Sequence, residues 1–385
     1  MKPLQMVKNM ERNAGVVRDA TKIKNARVIK SLLGPAIRGY ILQRGKNTPA
    51  ASIPSQYKAH FNFEYRSDFP DLKKLYQQAK RDQWDSDTAL DWGTDVDPLN
   101  PEVPLLLEHL VPFFDFPEFR QLPQKERQNQ IRGLVGWLLS QILHGEQGAL
   151  FAACQLTEAV GWMDAKLYGS TQVIDEGRHV EVFQRYIIEK LDKLYEINDN
   201  LYVIIDSLMT DSRWDLKFLG MQIMIEGLAL AAFGTMRQNT KEPLLKNLLR
   251  YVITDEARHV HFGVVALEDY YGKHLSPRDR REREDWAFEM TVLMRNRFLA
   301  HEFYDEFWGH RMSRRAWDKM ILRSAFMDIF RKSLYRRIIP NLKRINLLSD
   351  RIRPHYEELG LLAFEDHKAA PDLALKDMLN EGAPS

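Results

Sequence analysis

The sequence of 385 residues predicts an all-α protein. Four long stretches, 127–157, 163–196, 212–238 and 243–271, show the apolar spacing of helices, and the strand type of alternation is nearly absent. Glycine and proline are scarce, with 20 and 17 residues, which favours long regular elements. The hydrophobic share of 44% with 28% charged residues is typical of a globular chain rather than a disordered or fibrous one.

These patterns divide the chain into four predicted parts. Residues 1–126 form an N-terminal extension of helices and loops, because seven prolines interrupt the stretch 61–125. Residues 127–271 form a core of four helices, and residues 272–367 form further helices that pack on this core. Residues 368–385 are expected to be a flexible tail.

The cysteine content and the hydropathy exclude several classes of protein. The single cysteine, Cys154, excludes a disulfide framework, a structural zinc site and a cysteine-ligated iron–sulfur cluster. The first residues lack the apolar run of a secretory signal, so we expect a cytoplasmic protein. The most apolar run, 218–234, is about one turn shorter than a bilayer span and contains Glu226, so no membrane span is predicted.

Two segments are strongly basic although the whole chain carries a net charge of only +2. Residues 1–45 have a net charge of +8 and residues 311–354 have a net charge of +10. Such segments can attract a carrier-bound thioester, a lipid head group or an RNA phosphate, but a solvated helix face is the commoner explanation. No RNA-binding motif accompanies them, so RNA is the less favoured partner.

A doubled motif carries the chemistry of this sequence. Residues 175–180, Asp-Glu-Gly-Arg-His-Val, match residues 255–260, Asp-Glu-Ala-Arg-His-Val, and each contains Glu-x-x-His. A further glutamate in an apolar segment precedes each motif by 30 residues, and the whole set recurs at an offset of 80. The six candidate metal ligands are Glu146, Glu176, His179, Glu226, Glu256 and His259.

The spacing of these residues has a geometric meaning. In an antiparallel hairpin of helices, two residues lie level when they are equidistant from the turn, and the two midpoints fall at 161 and 241. Both positions lie in segments that break the helical pattern. Four carboxylates and two imidazoles therefore meet at one level of a four-helix core, where the carboxylates need compensation by cations. Two metal ions are favoured over the alternative of separate, individually satisfied core charges.

These residues resemble the ferritin-like diiron carboxylate oxygenases and oxidases, and the resemblance covers residues 127–271. It implies a ferritin-like four-helix bundle core with additional N- and C-terminal helices. It also implies two iron ions, with an iron–manganese pair as the alternative. Glu176 would act at one ion with Glu146 and His179, and the equivalent set at the other ion would be Glu256, Glu226 and His259.

The resemblance also assigns residues around the ligands. Asp175 and Asp255 would each accept a hydrogen bond from the metal-bound histidine of the opposite hairpin, which orients the imidazole ring. The alternative for these aspartates is an ion pair with Arg178 or Arg258.

Departures from the subfamilies narrow the function that the resemblance implies. Phe183 stands where the ribonucleotide reductase small subunit usually has a radical tyrosine. Ala229 and Leu230 replace the threonine of multicomponent hydroxylases, and Val252 replaces the additional histidine of aminobenzoate N-oxygenases. A single cysteine cannot build the second iron site of rubrerythrins.

The predicted function is therefore an O2-activating diiron oxygenase. It would hydroxylate, epoxidise, N-oxygenate, desaturate or cleave a hydrophobic or aromatic small molecule, with the four glutamates as catalytic residues. A separate ferredoxin or reductase would supply electrons, because the chain has no flavin or nicotinamide motif. A ferroxidase or peroxide-scavenging protein and a tRNA-hydroxylating enzyme are the alternatives, and a homodimer and a carrier-bound substrate stay open.

An apolar substrate pocket is expected beside the metals, although ordinary bundle core is an equal explanation for any one of its residues. The residues predicted to line it are Leu150, Phe151, Phe183, Leu230 and Phe233.

Overall fold

A computed structural model describes residues 3–20, 23–46, 52–55 and 58–374, and these residues form helices and loops without any β-strand. The all-α prediction is confirmed. In chain order, the helices are α1 Pro3–Ala20, α2 Ala26–Ala36, α3 Pro70–Arg81, α4 Ser86–Ala89, α5 Pro117–Arg120, α6 Gln124–Ala159, α7 Met163–Arg185, α8 Asp199–Thr210, α9 Trp214–Phe218, α10 Glu226–Asn239, α11 Pro243–Lys273, α12 Pro277–Arg297, α13 His301–Phe307, α14 Arg314–Arg323, α15 Ala325–Arg344 and α16 Arg353–Glu358.

The four predicted core helices are present with small shifts at their ends. Helices α6 and α11 match their predicted ranges within three residues. A π-helical segment, Tyr186–Leu191, continues α7 and ends it five residues before the predicted end. Another π-helical segment, Leu219–Ile225, joins α9 to α10, so that one continuous helix runs from Trp214 to Asn239.

The two turns of the core fall at the positions that the ligand spacing predicts. Helix α6 ends at Ala159 and α7 begins at Met163, while α10 ends at Asn239 and α11 begins at Pro243. The start of α11 is well specified because Pro243 occupies its first position and the side chain of Glu242 accepts hydrogen bonds from two backbone amides of the first turn. Helix α6 packs on α7 and α10 packs on α11, which gives a ferritin-like bundle of two antiparallel hairpins.

The most apolar helix of the described chain lies inside this bundle. The helix from Trp214 to Asn239 is long and apolar enough to cross a membrane by length and composition, but 89% of its apolar window is buried in the protein. The core of a globular bundle explains such a helix, because a helix that is apolar on all sides must be covered on all sides.

Helix α8 was not predicted from the sequence. The segment Asn198-Asp199-Asn200 indicates a break, but the Asn198 side chain caps α8 by accepting a hydrogen bond from the Asn200 amide. Residues 199–209 are all buried, because α8 packs between α6, α2 and α12. A helix covered on all sides has no amphipathic pattern that would reveal it.

The C-terminal part differs from the prediction at two places. A proline usually interrupts a helix, so Pro340 predicts a break, but α15 continues through it to Arg344. Residues 368–374 were included in the flexible tail, but Ala369 and Ala370 are buried and the Ala370 amide donates to Asn341 Oδ1 at 2.9 Å. The remainder of the predicted tail, 375–385, lies outside the described residues.

The basic segments form ion pairs with the rest of the protein. From residues 1–45, Arg27 contacts Glu282 and Arg38 contacts Asp206, in both cases at 2.6 Å. From residues 311–354, Arg351 contacts Glu284 and Asp285 on α12. Several of these basic side chains therefore attach the segments to acidic groups, and for them the structural explanation is favoured over an anionic partner.

Candidate metal centre

The structure brings all six predicted ligands to one level of the bundle. Glu146 lies on α6, Glu176 and His179 lie on α7, and the corresponding residues lie on α10 and α11. Each of the six side chains belongs to a residue that is at most 5% exposed. Because Glu-x-x-His places both side chains on one helix face, α7 and α11 each present a carboxylate and an imidazole to the centre.

The ligand atoms form two neighbouring groups. Nδ1 of His179 lies 3.3 Å from Glu146 Oε2, 3.4 Å from Glu176 Oε2 and 3.2 Å from Glu256 Oε1. Nδ1 of His259 lies 3.1 Å from Glu176 Oε1 and 3.6 Å from Glu256 Oε2. The two imidazole centroids are 6.0 Å apart, which leaves one ligand group around each ring.

The carboxylates of Glu176 and Glu256 lie between these groups. One group of ligand atoms within 4.8 Å of one another comes from Glu146, Glu176, His179 and Glu256, and another comes from Glu176, Glu226 and His259. The resemblance places Glu256 at the second ion only. In the structure Glu256 belongs to the group around His179, and its other oxygen lies 3.6 Å from Nδ1 of His259, while Glu176 belongs to both groups.

The hydrogen bonds that the resemblance implies for the aspartates are present. Nε2 of His179 lies 3.2 Å from Asp255 Oδ2, and Nε2 of His259 lies 3.3 Å from Asp175 Oδ2. Each contact crosses from one hairpin to the other. Donation from Nε2 to an aspartate leaves the lone pair of Nδ1 facing the carboxylates, which is the tautomer that a metal ligand requires.

The ion pairs that formed the alternative explanation are also present. Arg178 contacts Asp175 on its own helix and Asp255 at 3.1 Å, and Arg258 makes the equivalent contacts to Asp255 and, at 3.4 Å, to Asp175. The two explanations are therefore not exclusive, since each aspartate accepts from an imidazole and from two guanidinium groups.

Two residues of the loop after α3 extend this network, although no sequence pattern indicates them. Gln83 Nε2 donates to Asp175 Oδ1 at 3.0 Å, and Trp84 Nε1 donates to Asp255 Oδ2 at 2.8 Å. The Trp84 ring stacks on Tyr251 with a centroid distance of 4.8 Å, and the Arg178 guanidinium lies 4.6 Å from its centroid. No periodicity relates this loop to the motifs, so only the three-dimensional structure could reveal the contacts.

Gln172 is another contact of the ligands that sequence reasoning missed. Its Nε2 donates to Glu176 Oε1 at 3.1 Å and to Glu226 Oε1 at 2.9 Å. Its own Oε1 accepts from Gln222 at 3.2 Å. Each glutamine lies one helical turn before a ligand glutamate, and that spacing is the signal that could have identified them.

A glycine allows the second of these glutamines to approach. A Cβ atom at Gly263 on α11 would lie 2.5 Å from the Cβ of Gln222 in the π-helical segment. Gly263 therefore permits α11 to pack directly against the segment that precedes Glu226.

The polar atoms of the cluster fit metal ions better than they fit one another. Glu176 Oε2, Glu226 Oε2 and both oxygens of Glu256 have no hydrogen-bond partner among the described residues, although all are buried. Burial and the neighbouring Glu256 raise the pKa of Glu146 and of Glu226 well above the usual range. Cations placed among these groups would compensate the buried carboxylates, and carboxylate with imidazole suits iron and manganese.

The predicted pocket residues lie in different environments, and none of them lines the apolar cavity described below. Phe151 is 50% exposed. It follows Glu146 by five residues, which turns it about 140° away from the ligand face. Phe183 and Phe233 are buried and stack on each other with centroids 5.7 Å apart, and Leu230 is buried, while Leu150 is half-buried.

An apolar cavity lies between α6 and α10, one level further along the bundle. It is partly open to solvent, and apolar side chains form most of its wall. Ile142, which forms part of its wall, precedes Glu146 by one turn, and Ala232 on the opposite wall follows Glu226 by less than two turns. The cavity therefore begins roughly 6 Å along the helix axis from the ligand level.

Comparisons with known proteins find only remote structural likenesses. No protein-family model and no curated protein matches the chain. Among solved structures, a variant R2-like ligand-binding oxidase with an anaerobically reconstituted Mn/Fe cofactor is 21% identical, with 74% of this chain and 93% of that chain covered and a TM-score of 0.43. Another variant, with an aerobically reconstituted Mn/Fe cofactor, is 20% identical over 74% and 94%, with a TM-score of 0.47. Likenesses this remote carry no argument about activity, which must come from the residues of the centre.

Proposed function

We propose that this chain is an oxidoreductase that uses two metal ions and dioxygen to oxidise an apolar or aromatic organic molecule. The observation that carries the proposal is the position of the apolar cavity, whose wall reaches Ile142, one turn from Glu146. An apolar cavity beside a dimetal site can hold an organic substrate, whereas an iron-storage function has no need of one.

Two ions bound at this centre, when present, would supply the two-electron reduction of dioxygen. The residues of the chain would do the remaining work. The four glutamates and two histidines would hold the ions, and Asp175 and Asp255 would keep each imidazole in the orientation and tautomer for binding. Gln172 would fix the carboxylates of Glu176 and Glu226, and the apolar walls would exclude water from the reacting molecule.

A separate electron donor is part of the proposal, because the sequence contains no flavin or nicotinamide motif. The half-buried Trp84 would connect the donor to the centre through Asp255 and His179, since these three side chains form one continuous series of hydrogen bonds. A ferredoxin or a reductase has the required chemistry, and we expect it in the same cytoplasmic compartment.

A tRNA-hydroxylating function is less well supported. It depends on the basic segments, and several of their cations are already paired with carboxylates, as Arg351 is with Glu284. A small apolar substrate is better supported, because the described structure contains an apolar cavity that could hold it.

Oxygen uptake tests the proposal. Protein loaded with ferrous iron and supplied with a chemical reductant would be incubated with a set of apolar and aromatic molecules, and products would be identified by mass spectrometry with ¹⁸O2. We expect oxygen uptake and a substrate-dependent product in wild type and in Glu158→Ala, an exposed control on α6, and neither in Glu176→Ala. Iron oxidation with growth of an iron core and no organic product would support the ferroxidase alternative instead.

A further inference from the structure

Arg297 is a buried cation that forms no ion pair with any described residue. It is the last residue of α12, it is 8% exposed, and it contributes to the wall of the apolar cavity. Its Nε has no hydrogen-bond partner, and none of the described carboxylates forms an ion pair with its guanidinium. The aromatic ring of Phe298 lies 5.1 Å from the guanidinium carbon.

The other polar groups of the cavity wall are already engaged. Gln141 donates to the Glu196 carbonyl and accepts from the Asn198 amide, and Thr235 donates to the Ala231 carbonyl. Among the described side chains that line the cavity, Arg297 is the only charged one. The cavity therefore presents one available polar group, a cation, in an otherwise apolar surface.

A buried charge is costly unless an opposite charge or a set of hydrogen bonds compensates it. Burial lowers the pKa of Arg297 to about 10, and the nearby Tyr335 opposes this effect only in part. The guanidinium therefore remains charged at neutral pH, and its counter-ion must come from outside the described residues.

We propose that the cavity binds an amphiphilic carboxylic acid whose carboxylate pairs with Arg297 and whose apolar body lies along α6 and α10. A single cation matches a single negative charge, whereas a phosphate monoester would bring two into an apolar cavity. The planar guanidinium can donate two parallel hydrogen bonds to a carboxylate. The apolar wall at Ile142 and Ala232 then directs the other end of the molecule towards Glu146 and Glu226.

The orientation towards the metals depends on the proposed function, but the binding of the acid at Arg297 does not. The acid would be held by its carboxylate away from the metal centre, and the carbon chain would be the part presented for oxidation. Specificity for acids over alcohols would thus arise from Arg297, and the length of the cavity would limit the length of the chain.

Calorimetric titration with decanoate and decan-1-ol tests the site. The metal-loaded protein, without reductant, is expected to bind decanoate about 10-fold or more tightly than decan-1-ol. The carboxylate of decanoate can accept charge-assisted hydrogen bonds from Arg297, and these are stronger than the hydrogen bond that the hydroxyl group of the alcohol can accept. Arg297→Met should abolish the preference, Arg297→Lys should keep part of it, and Arg315→Met, an exposed control on α14, should keep all of it. If the methionine variant does not fold, Arg297→Gln removes the charge while keeping a polar side chain.

Three results would overturn the site. The first is equal affinity of the wild-type protein for the acid and the alcohol, and the second is an unchanged preference for the acid in Arg297→Met. The third is decanoate binding that is lost when the metals are removed but is unaffected by replacement of Arg297. The test is separate from that of the proposed function. Decanoate binding at Arg297 without any oxygen-dependent product would leave the site intact and overturn only the oxidation chemistry.

Discussion

Trp84 Nε1 donates a hydrogen bond of 2.8 Å to Oδ2 of Asp255, the same oxygen that lies 3.2 Å from Nε2 of His179. Gln83, the preceding residue, donates in the same way to Asp175, the partner of His259. Two adjacent loop residues thus serve the two halves of a pseudosymmetric centre, but one is aromatic and the other is an amide. The two halves of the centre therefore have equivalent ligands, but different side chains donate to the aspartates beside those ligands.

Replacing Trp84 by phenylalanine removes the hydrogen bond to Asp255 and keeps an aromatic ring against Tyr251. We expect metal affinity at the ion nearer His179 to fall about 10-fold, because hydrogen bonds to charged groups contribute roughly 1.5–3 kcal/mol. Competition titration with a chelator would measure the change. Gln83→Leu is the matched variant, and its effect should appear at the other ion. Unchanged affinity in both variants would show that the loop only covers the centre.

Glu176 and Glu256 are expected to be indispensable for holding two ions, because their oxygens lie between the two ligand groups. Elemental analysis should give two ions per chain for wild type and for the exposed variant Glu158→Ala. Glu176→Ala and Glu256→Ala should retain one ion or fewer. A stoichiometry of two in both alanine variants would refute the assignment of these glutamates as ligands.

Gln172 is expected to control the positions of two ligand carboxylates at once. Gln172→Leu keeps the size of the side chain but removes the hydrogen bonds to Glu176 and Glu226 and leaves Gln222 without its acceptor. We expect turnover or metal affinity to fall roughly 10–100-fold, as is typical for groups that orient metal ligands. The melting temperature serves as the control for folding, and loss of metal should exceed any loss of stability. If the variant behaves as wild type in both assays, Gln172 only fills space.

The motifs were predictable because the spacing of the ligands and the turns of a helical hairpin depend on each other. Glu146 and Glu176 are 30 residues apart, and the turn between α6 and α7 falls midway at Gly161. No comparable rule applies to Trp84, which reaches Asp255 from a loop 171 residues earlier in the chain. The position of Arg297 is equally hard to predict from the sequence. An arginine in the last turn of a helix usually lies on the surface, where it interacts favourably with the helix dipole.

The predicted pocket residues lie outside the apolar cavity for a geometric reason. Proximity to Glu146 in sequence does not imply proximity in space, because a helix turns by about 100° per residue. Ile142, four residues before Glu146, therefore shares its face and borders the cavity, whereas Phe151, five residues after it, does not. The direction along the helix also matters, because the cavity lies on the N-terminal side of Glu146 only.

The last prediction concerns a buried ion pair that connects the N-terminal region to α13. Lys46 Nζ lies 2.7 Å from Glu302 Oε1, and Asn198 Nδ2 and Trp137 Nε1 donate to the same carboxylate. Burial alone would raise the pKa of Glu302, but Lys46 and Asn198 lower it from 4.5 to about 2. Since the folded-state pKa lies below the unfolded value, this carboxylate stabilises the protein fully above about pH 4.5 and progressively less as the pH falls towards 2.

Glu302→Gln should therefore reduce the free energy of unfolding by about 3 kcal/mol at pH 7, the order of magnitude that such a pKa difference implies. The difference between wild type and variant should shrink as the pH is lowered from 4.5, because the wild-type carboxyl then loses its advantage. This difference in the free energy of unfolding would be measured by urea unfolding at several pH values between 7 and 3, with circular dichroism as the signal. Glu306→Gln, a more exposed glutamate on the same helix that contacts Lys193, is the control and should show a difference below about 1 kcal/mol. A wild-type–variant difference for Glu302→Gln that stays constant over this range would contradict the role of the buried carboxylate.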